Sequence, residues 1–147
     1  MFNIIAKDFS TEFFGEPALP SSIIIDDFKE EFFLPTTYWN LNDYKRSWVK
    51  SIEEGLHKKN HSALAVSIYN PNKANFIFVW IIYFKGKDVF IQNQTLFMDD
   101  CPGFEPNRIN SFIEPRYTET EDGNKISEWR TDLNSILAFH QKLKMEI

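Results

Sequence analysis

Apolar side chains are nearly continuous from Ala74 to Phe84, where the chain reads ANFIFVWIIYF with no Gly or Pro. At about 3.3 Å per residue such a strand spans ~36 Å, enough to run the length of a small domain. Alternation places Phe76, Phe78, Trp80, Ile82 and Phe84 on one face and Ile77, Val79, Ile81 and Tyr83 on the other. A strand apolar on both faces is expected at the centre of its sheet, covered on each side. These side chains are therefore read as core. A membrane span needs ~20 such residues, so the run predicts a soluble core.

The pattern elsewhere places the remaining elements. Residues 1–20, with Phe2, Ile4, Ile5, Phe13 and Phe14 among polar residues and with Pro17 and Pro20, read as an extended, partly packed lead-in. Ser21–Ile25 and Phe28–Leu34 read as two short strands joined at Asp26-Asp27, the second stopped by Pro35. Asn40 or Asn42 caps a helix reaching about Lys58. Its stripe Leu41, Tyr44, Trp48, Ile52, Leu56 has i, i+3/i+4 spacing, with Lys45, Arg46, Lys50, Lys58 and Lys59 beside it. A meander follows: Ser62–Tyr69, a turn at Asn70–Lys73 set by Pro71, the central strand, a turn at Lys85-Gly86-Lys87, and Asp88–Phe97. Phe104–Ile113 holds a short helix led by Pro106, and 115–124 is a loop. Ser127 or Thr131 caps a last helix with the stripe Trp129, Leu133, Ile136, Leu137, His140, Leu143. The order is ββ-α-βββ-α-α: an α+β fold, a twisted antiparallel sheet with two long helices packed on it, forming one domain over 1–147.

Charge is distributed unevenly. The chain carries −5, and so does the segment 99–128 alone, where eight acids face three bases; the other residues are neutral in sum. An excess confined to one mostly irregular segment predicts a field aimed at a basic partner and opposes binding to nucleic acid or an anionic membrane. The candidate partner-binding residues are Asp99, Asp100, Glu105, Glu119, Glu121 and Asp122, with Phe104 and Tyr117 as apolar anchors among them. Asp26, Asp27, Glu30 and Glu31 form a secondary candidate face.

Catalytic and metal chemistry find no support. His57 and His61 are separated by a helix end at Asn60 and lack a third ligand of ordinary spacing; His140 falls on an apolar stripe as a hydrogen-bonded core or boundary residue. Cys101 follows two aspartates that oppose thiolate formation. There is no glycine-rich phosphate loop, and no cofactor or metal is expected. A lone cysteine, and an N-terminus without the basic and apolar regions of a secretory signal, predict the cytoplasm. The alternative class, a single-stranded nucleic-acid binder stacking bases on Phe76, Phe78 and Trp80, lacks the adjacent Lys or Arg it needs, because 62–69 and 74–83 hold neither.

Tyr38-Trp39 through Asp43-Tyr44-Lys45-Arg46-Ser47-Trp48 resembles the YW…DYK…W signature of contact-dependent growth-inhibition (CDI) immunity proteins, the CdiI family. His61–Ser67, Asn75–Phe78, Tyr83-Phe84, Phe104, Lys125–Trp129 and Thr131–Asn134 resemble it as well, over roughly residues 20–140. The resemblance implies a small cytoplasmic antitoxin that binds the C-terminal toxin domain delivered by a neighbouring bacterium. Many such domains are basic nucleases that cut tRNA or ribosomal RNA. It further implies a sheet similar to Whirly-type nucleic-acid binders, and brings no catalytic motif. A nuclease must attract phosphate, so carboxylates on its inhibitor complement it.

Overall fold

The computed structural model describes residues 1–70 and 74–147. Four strands come first: β1 Phe2–Ala6, β2 Thr11–Phe13, β3 Glu16–Ile25 and β4 Phe28–Pro35. Helix α1, Leu41–Lys58, leads to β5 His61–Ala65, β6 Phe76–Lys85 and β7 Asp88–Phe97. Two 3-10 segments, Met98–Asp100 and Pro106–Phe112, precede β8 Trp129–Asp132 and helix α2 Leu133–Glu146.

The fold is α+β and antiparallel, as the pattern predicts, but it has two four-stranded sheets rather than one. In the first, β3 pairs with β4 along one side and with β1 and β2 along the other; the second runs β5-β6-β7-β8. The lead-in is thus three strands. Prolines hid this, yet neither disturbs the ladder. Pro20 falls between the stretches of β3 paired with β2 and β1, where no N–H is required, and its carbonyl still accepts from Lys7 N at 2.9 Å. Pro17 lies at the ladder's end, where its carbonyl accepts from Thr36 N at 3.0 Å.

Helix α1 matches its expected span. Asn40 caps it in a reciprocal box: Asp43 N donates to Asn40 Oδ1 at 2.9 Å and Asn40 N to Asp43 Oδ2 at 3.0 Å. The β6–β7 hairpin turns on Gly86 (φ 64), which meets the positive φ such a two-residue loop requires. The predicted last helix is shorter than expected. Trp129–Asp132 is a strand paired with Asp88–Ile91, and the cap is Asp132 rather than Ser127 or Thr131, its carboxylate accepting from Ser135 N at 2.8 Å. Strand β5 stops at Ala65, although 66–68 stay buried. Of the turn expected at 70–73, Pro71, Asn72 and Lys73 lie outside the described residues.

The core sits between the sheets and helices. Phe2, Ile23, Ile25 and Leu34 from the first sheet meet Tyr44, Trp48 and Ile52 of α1, Phe139 and Ile136 of α2, and Leu64, Trp80 and Ile82 of the second sheet. Polar atoms inside are used. Tyr44 OH donates to Pro35 O at 2.6 Å and accepts from Ile68 N at 3.0 Å, and Trp48 Nε1 donates to Ala65 O at 2.8 Å. Strand β6 is internal to its sheet, and residues 79–83 are buried on both faces. Phe76 and Phe78, read from sequence as core, are instead 41% and 49% exposed.

Candidate partner-binding surface

Residues 98–128 wrap the outer face of the second sheet, and three attachments hold them there. Asn110 is the deepest. Its Oδ1 accepts from Ala63 N at 2.7 Å and from Ser51 Oγ at 3.1 Å, while its Nδ2 donates to Ser51 O at 3.2 Å. The second is Tyr83, whose hydroxyl donates to Glu114 O at 3.0 Å; burial raises its pKa. The third joins Arg116 and Glu128 through two bonds of 2.8 and 2.6 Å, with the guanidinium stacked over the Phe90 ring at 3.8 Å. Gln92 Nε2 adds bonds to Glu128 at 2.7 Å and to Tyr117 O at 2.9 Å. The Arg116 partner, more than the Gln92 bond, holds the Glu128 carboxyl below its usual range against the opposing effect of burial.

These attachments sort the candidate residues. Glu105 pairs with Arg108 at 3.2 Å, and Glu128 with Arg116. Phe104 is half-buried against Phe112, ring centroids 5.2 Å apart, so it packs within the chain rather than standing free as an anchor. Tyr117 is 55% exposed. Glu119, Glu121 and Asp122 lie on an exposed hairpin tip closed by a Glu119–Lys125 bridge and by Thr120 N donating to Asn124 O at 2.8 Å. Asp99 and Asp100 form an exposed 3-10 turn at the end of β7. None of these five carboxylates makes a hydrogen bond or ion pair with the described residues.

The secondary face is smaller than the sequence suggests. Asp26 (φ 51) binds the N-terminal ammonium and accepts from Thr131 Oγ1 at 3.1 Å, so it serves the fold. Asp27, Glu30 and Glu31 remain exposed.

The histidines do not converge. His57 is exposed, and His61 Nε2 lies 2.8 Å from Asn110 O. His140 is a boundary residue as expected, but its buried Nε2 has no hydrogen-bond partner among the described residues; Glu53 lies 3.8 Å away. Among the described residues no three His, Cys, Asp or Glu side chains group as metal ligands. Burial, and then Asp100, push the Cys101 thiol pKa up. Trp80 is only 3% exposed and offers no stacking surface to a base. Sequence reasoning missed an exposed aromatic group, Phe76, Phe78 and Phe97. A signal was present in β7, where Gln92–Thr95 are four consecutive polar residues, of which Asn93 and Thr95 pair with Trp80 and Phe78.

No helix among the described residues is long and apolar enough to cross a membrane. The family model described as CdiI N-terminal domain matches residues 34–139. "Immunity protein CdiI" of Enterobacter cloacae subsp. cloacae is 53% identical over 143 residues, covering 97% of this chain and 99% of the relative. The solved "CdiA-CT/CdiI toxin and immunity complex from Enterobacter cloacae" contains a chain with a TM-score of 0.95 and 52% identity, covering 99% of both.

Proposed function

The chain belongs to the CdiI family of immunity proteins, and on that premise we propose that it binds the C-terminal toxin domain of its cognate CDI effector in the cytoplasm and blocks it. The solved relative is half of a toxin and immunity complex, which supports a protein partner. We take that partner to be a basic nuclease, an RNase acting on tRNA or ribosomal RNA. The observation that carries this is the set of five exposed carboxylates, Asp99, Asp100, Glu119, Glu121 and Asp122, without partners among the described residues, in a segment that holds the whole net charge. Carboxylates spent on ion pairs would serve stability; these are free to meet cations on another surface. Charge complementarity of this kind raises association toward ~10⁸–10⁹ M⁻¹s⁻¹ at low salt. The chain itself performs no catalysis on this reading, and reproducible hydrolysis of RNA by the purified protein, lost in a point variant, would contradict it.

The test replaces the five carboxylates by their amides and measures association with the cognate CdiA-CT domain. Association should slow and its salt dependence flatten, with the melting temperature close to wild type because no internal bond is removed. Unchanged rates at both low and high salt would make the segment a solubilising loop and shift attention to Asp27, Glu30 and Glu31.

A further inference from the structure

One side of β7 is only half used. Strand β6 pairs along its whole length, whereas β8 pairs only with Asp88–Ile91. In an antiparallel ladder, the N–H and C=O of successive residues point to alternate sides. Met98 N donates to Asn75 O on the β6 side at 2.9 Å, and Leu133 N to Lys87 O on the β8 side at 2.8 Å. That parity directs Val89 and Ile91 toward β8, and Asn93, Thr95 and Phe97 outward in line with it. Those three residues carry three donors, and Asn93 and Thr95 two acceptors, with no backbone partner among the described residues; the Phe97 carbonyl opens the 3-10 turn that follows. Strand edges are ordinarily protected by Lys, Pro or a bulge; Gln92–Phe97 has no charge and no Pro.

The surroundings of this edge define what fits it. Strand β4 meets β8 where Phe28 stacks on Trp129 at 4.4 Å. Beside that contact lies a cleft of about 480 Å³ whose lining includes Glu30, Phe32, Phe78, Asn93 and Thr95 and, among the described residues, no Lys or Arg. Phe76, Phe78 and Phe97 cluster on the same sheet face, with Phe76 centroids 5.3 Å from Phe78 and 6.3 Å from Phe97. Asp99 and Asp100 follow directly in the chain. An apolar patch this open marks an interaction site, and its acidic border selects a partner with cations beside apolar side chains.

We propose that this edge and aromatic patch take an extended segment of the toxin domain as an added strand, its apolar side chains on Phe78 and Phe97 and its Lys or Arg toward Glu30, Asp99 and Asp100. The inference rests on the toxin-binding reading and names the anchor that the exposed carboxylates lack. Six residues of edge, about 20 Å at strand rise, is a length suited to strand addition.

Amide hydrogen exchange on wild-type protein, alone and saturated with the cognate CdiA-CT domain, tests it. The Asn93, Thr95 and Phe97 amides should exchange rapidly in the free protein and slow by about tenfold or more in the complex. Phe78→Ser and Thr95→Pro, which remove an exposed ring and an unpaired donor, should each weaken binding by about tenfold while folding persists. If wild type binds CdiA-CT yet the three amides exchange at the same rate bound and free, the strand-addition site is wrong and toxin binding stands. If the amides become protected in the free protein as its concentration rises, the occupant is a second copy and the inference is overturned. If wild type does not bind CdiA-CT, the functional reading itself fails.

Discussion

Replacing Gly55 by Ala sets helix propensity against packing, and the two predict opposite signs. In an exposed helix the change stabilises by about 0.8–1 kcal/mol. Gly55 is buried where α1 crosses the start of β5. A Cβ there would lie well inside 3.0 Å of Ser62 Oγ and His61 O, and 2.8 Å from His61 C. The hydroxyl can rotate aside only by giving up its 2.6 Å bond to Ser51 O, worth about 1–2 kcal/mol in a buried site. His61 O and C are backbone, so the helix must lift from the sheet, and overpacking of this kind costs about 1–3 kcal/mol. After the propensity gain, the net loss is about 1–4 kcal/mol. A urea melt reads it directly: with a slope of about 1–3 kcal/mol/M, the midpoint should fall by roughly 1 M. Adding Ser62→Ala removes the hydroxyl but not the carbonyl, so the double variant should recover only part of the loss. A midpoint at or above wild type for Gly55→Ala would refute the close approach of α1 to β5.

Trp80→Ala should destabilise by about 3–5 kcal/mol, because the ring is buried and leans on Trp129 at 5.5 Å; an unchanged thermal melt accompanied by loss of single-stranded RNA binding would instead favour the nucleic-acid reading. Glu128→Gln should cost about 1–3 kcal/mol at neutral pH, the range for a bond to a charged group. Since the folded carboxyl pKa lies below its unfolded value, its contribution is fully present above the unfolded pKa and is lost as pH falls below about 5 through the folded pKa. The variant's stability should therefore decline less steeply with acid than wild type, and parallel acid limbs in denaturant titrations would count against the pair.

Sequence pattern revealed α1, β4, β6 and β7 because each is long, periodic and bounded by a cap, a hairpin turn or a proline. It failed where tertiary pairing overrode local signals. Pro17 and Pro20 argued against a strand, yet they are tolerated because their positions ask for no hydrogen-bond donor. Trp129 carried helical spacing with Leu133 and Thr131 offered a cap, but pairing with β7 claimed both for a strand. At the candidate surface, net charge singled out the segment as a proposal, while only contacts could divide its members. Glu105, Asp26 and Glu128 are indistinguishable from Glu121 by composition and differ only in having cationic partners. Exposure of Phe78 was signalled only by polar Thr95 across the ladder, and Phe76, which faces Phe97, carried no such sign.

That division has a mechanical consequence for an inhibitor. Glu128 is tied to the sheet by Gln92 and braced by Arg116, whose guanidinium lies over Phe90, while Glu105 pairs with Arg108 inside the segment; the carboxylates without a partner among the described residues project from turns beside these fixed points. A charge on a fixed turn presents its field without the entropy of ordering a loop at binding. Exposed charges of this sort mainly set how fast partners meet, since salt screens them and water still solvates them. The duration of a complex must then come from desolvated apolar contact and paired backbone, and on the strand-addition proposal the aromatic end of β6–β7 would supply both. Removing carboxylates and removing rings should therefore act on different rate constants: the first on association and its salt dependence, the second on dissociation at any salt.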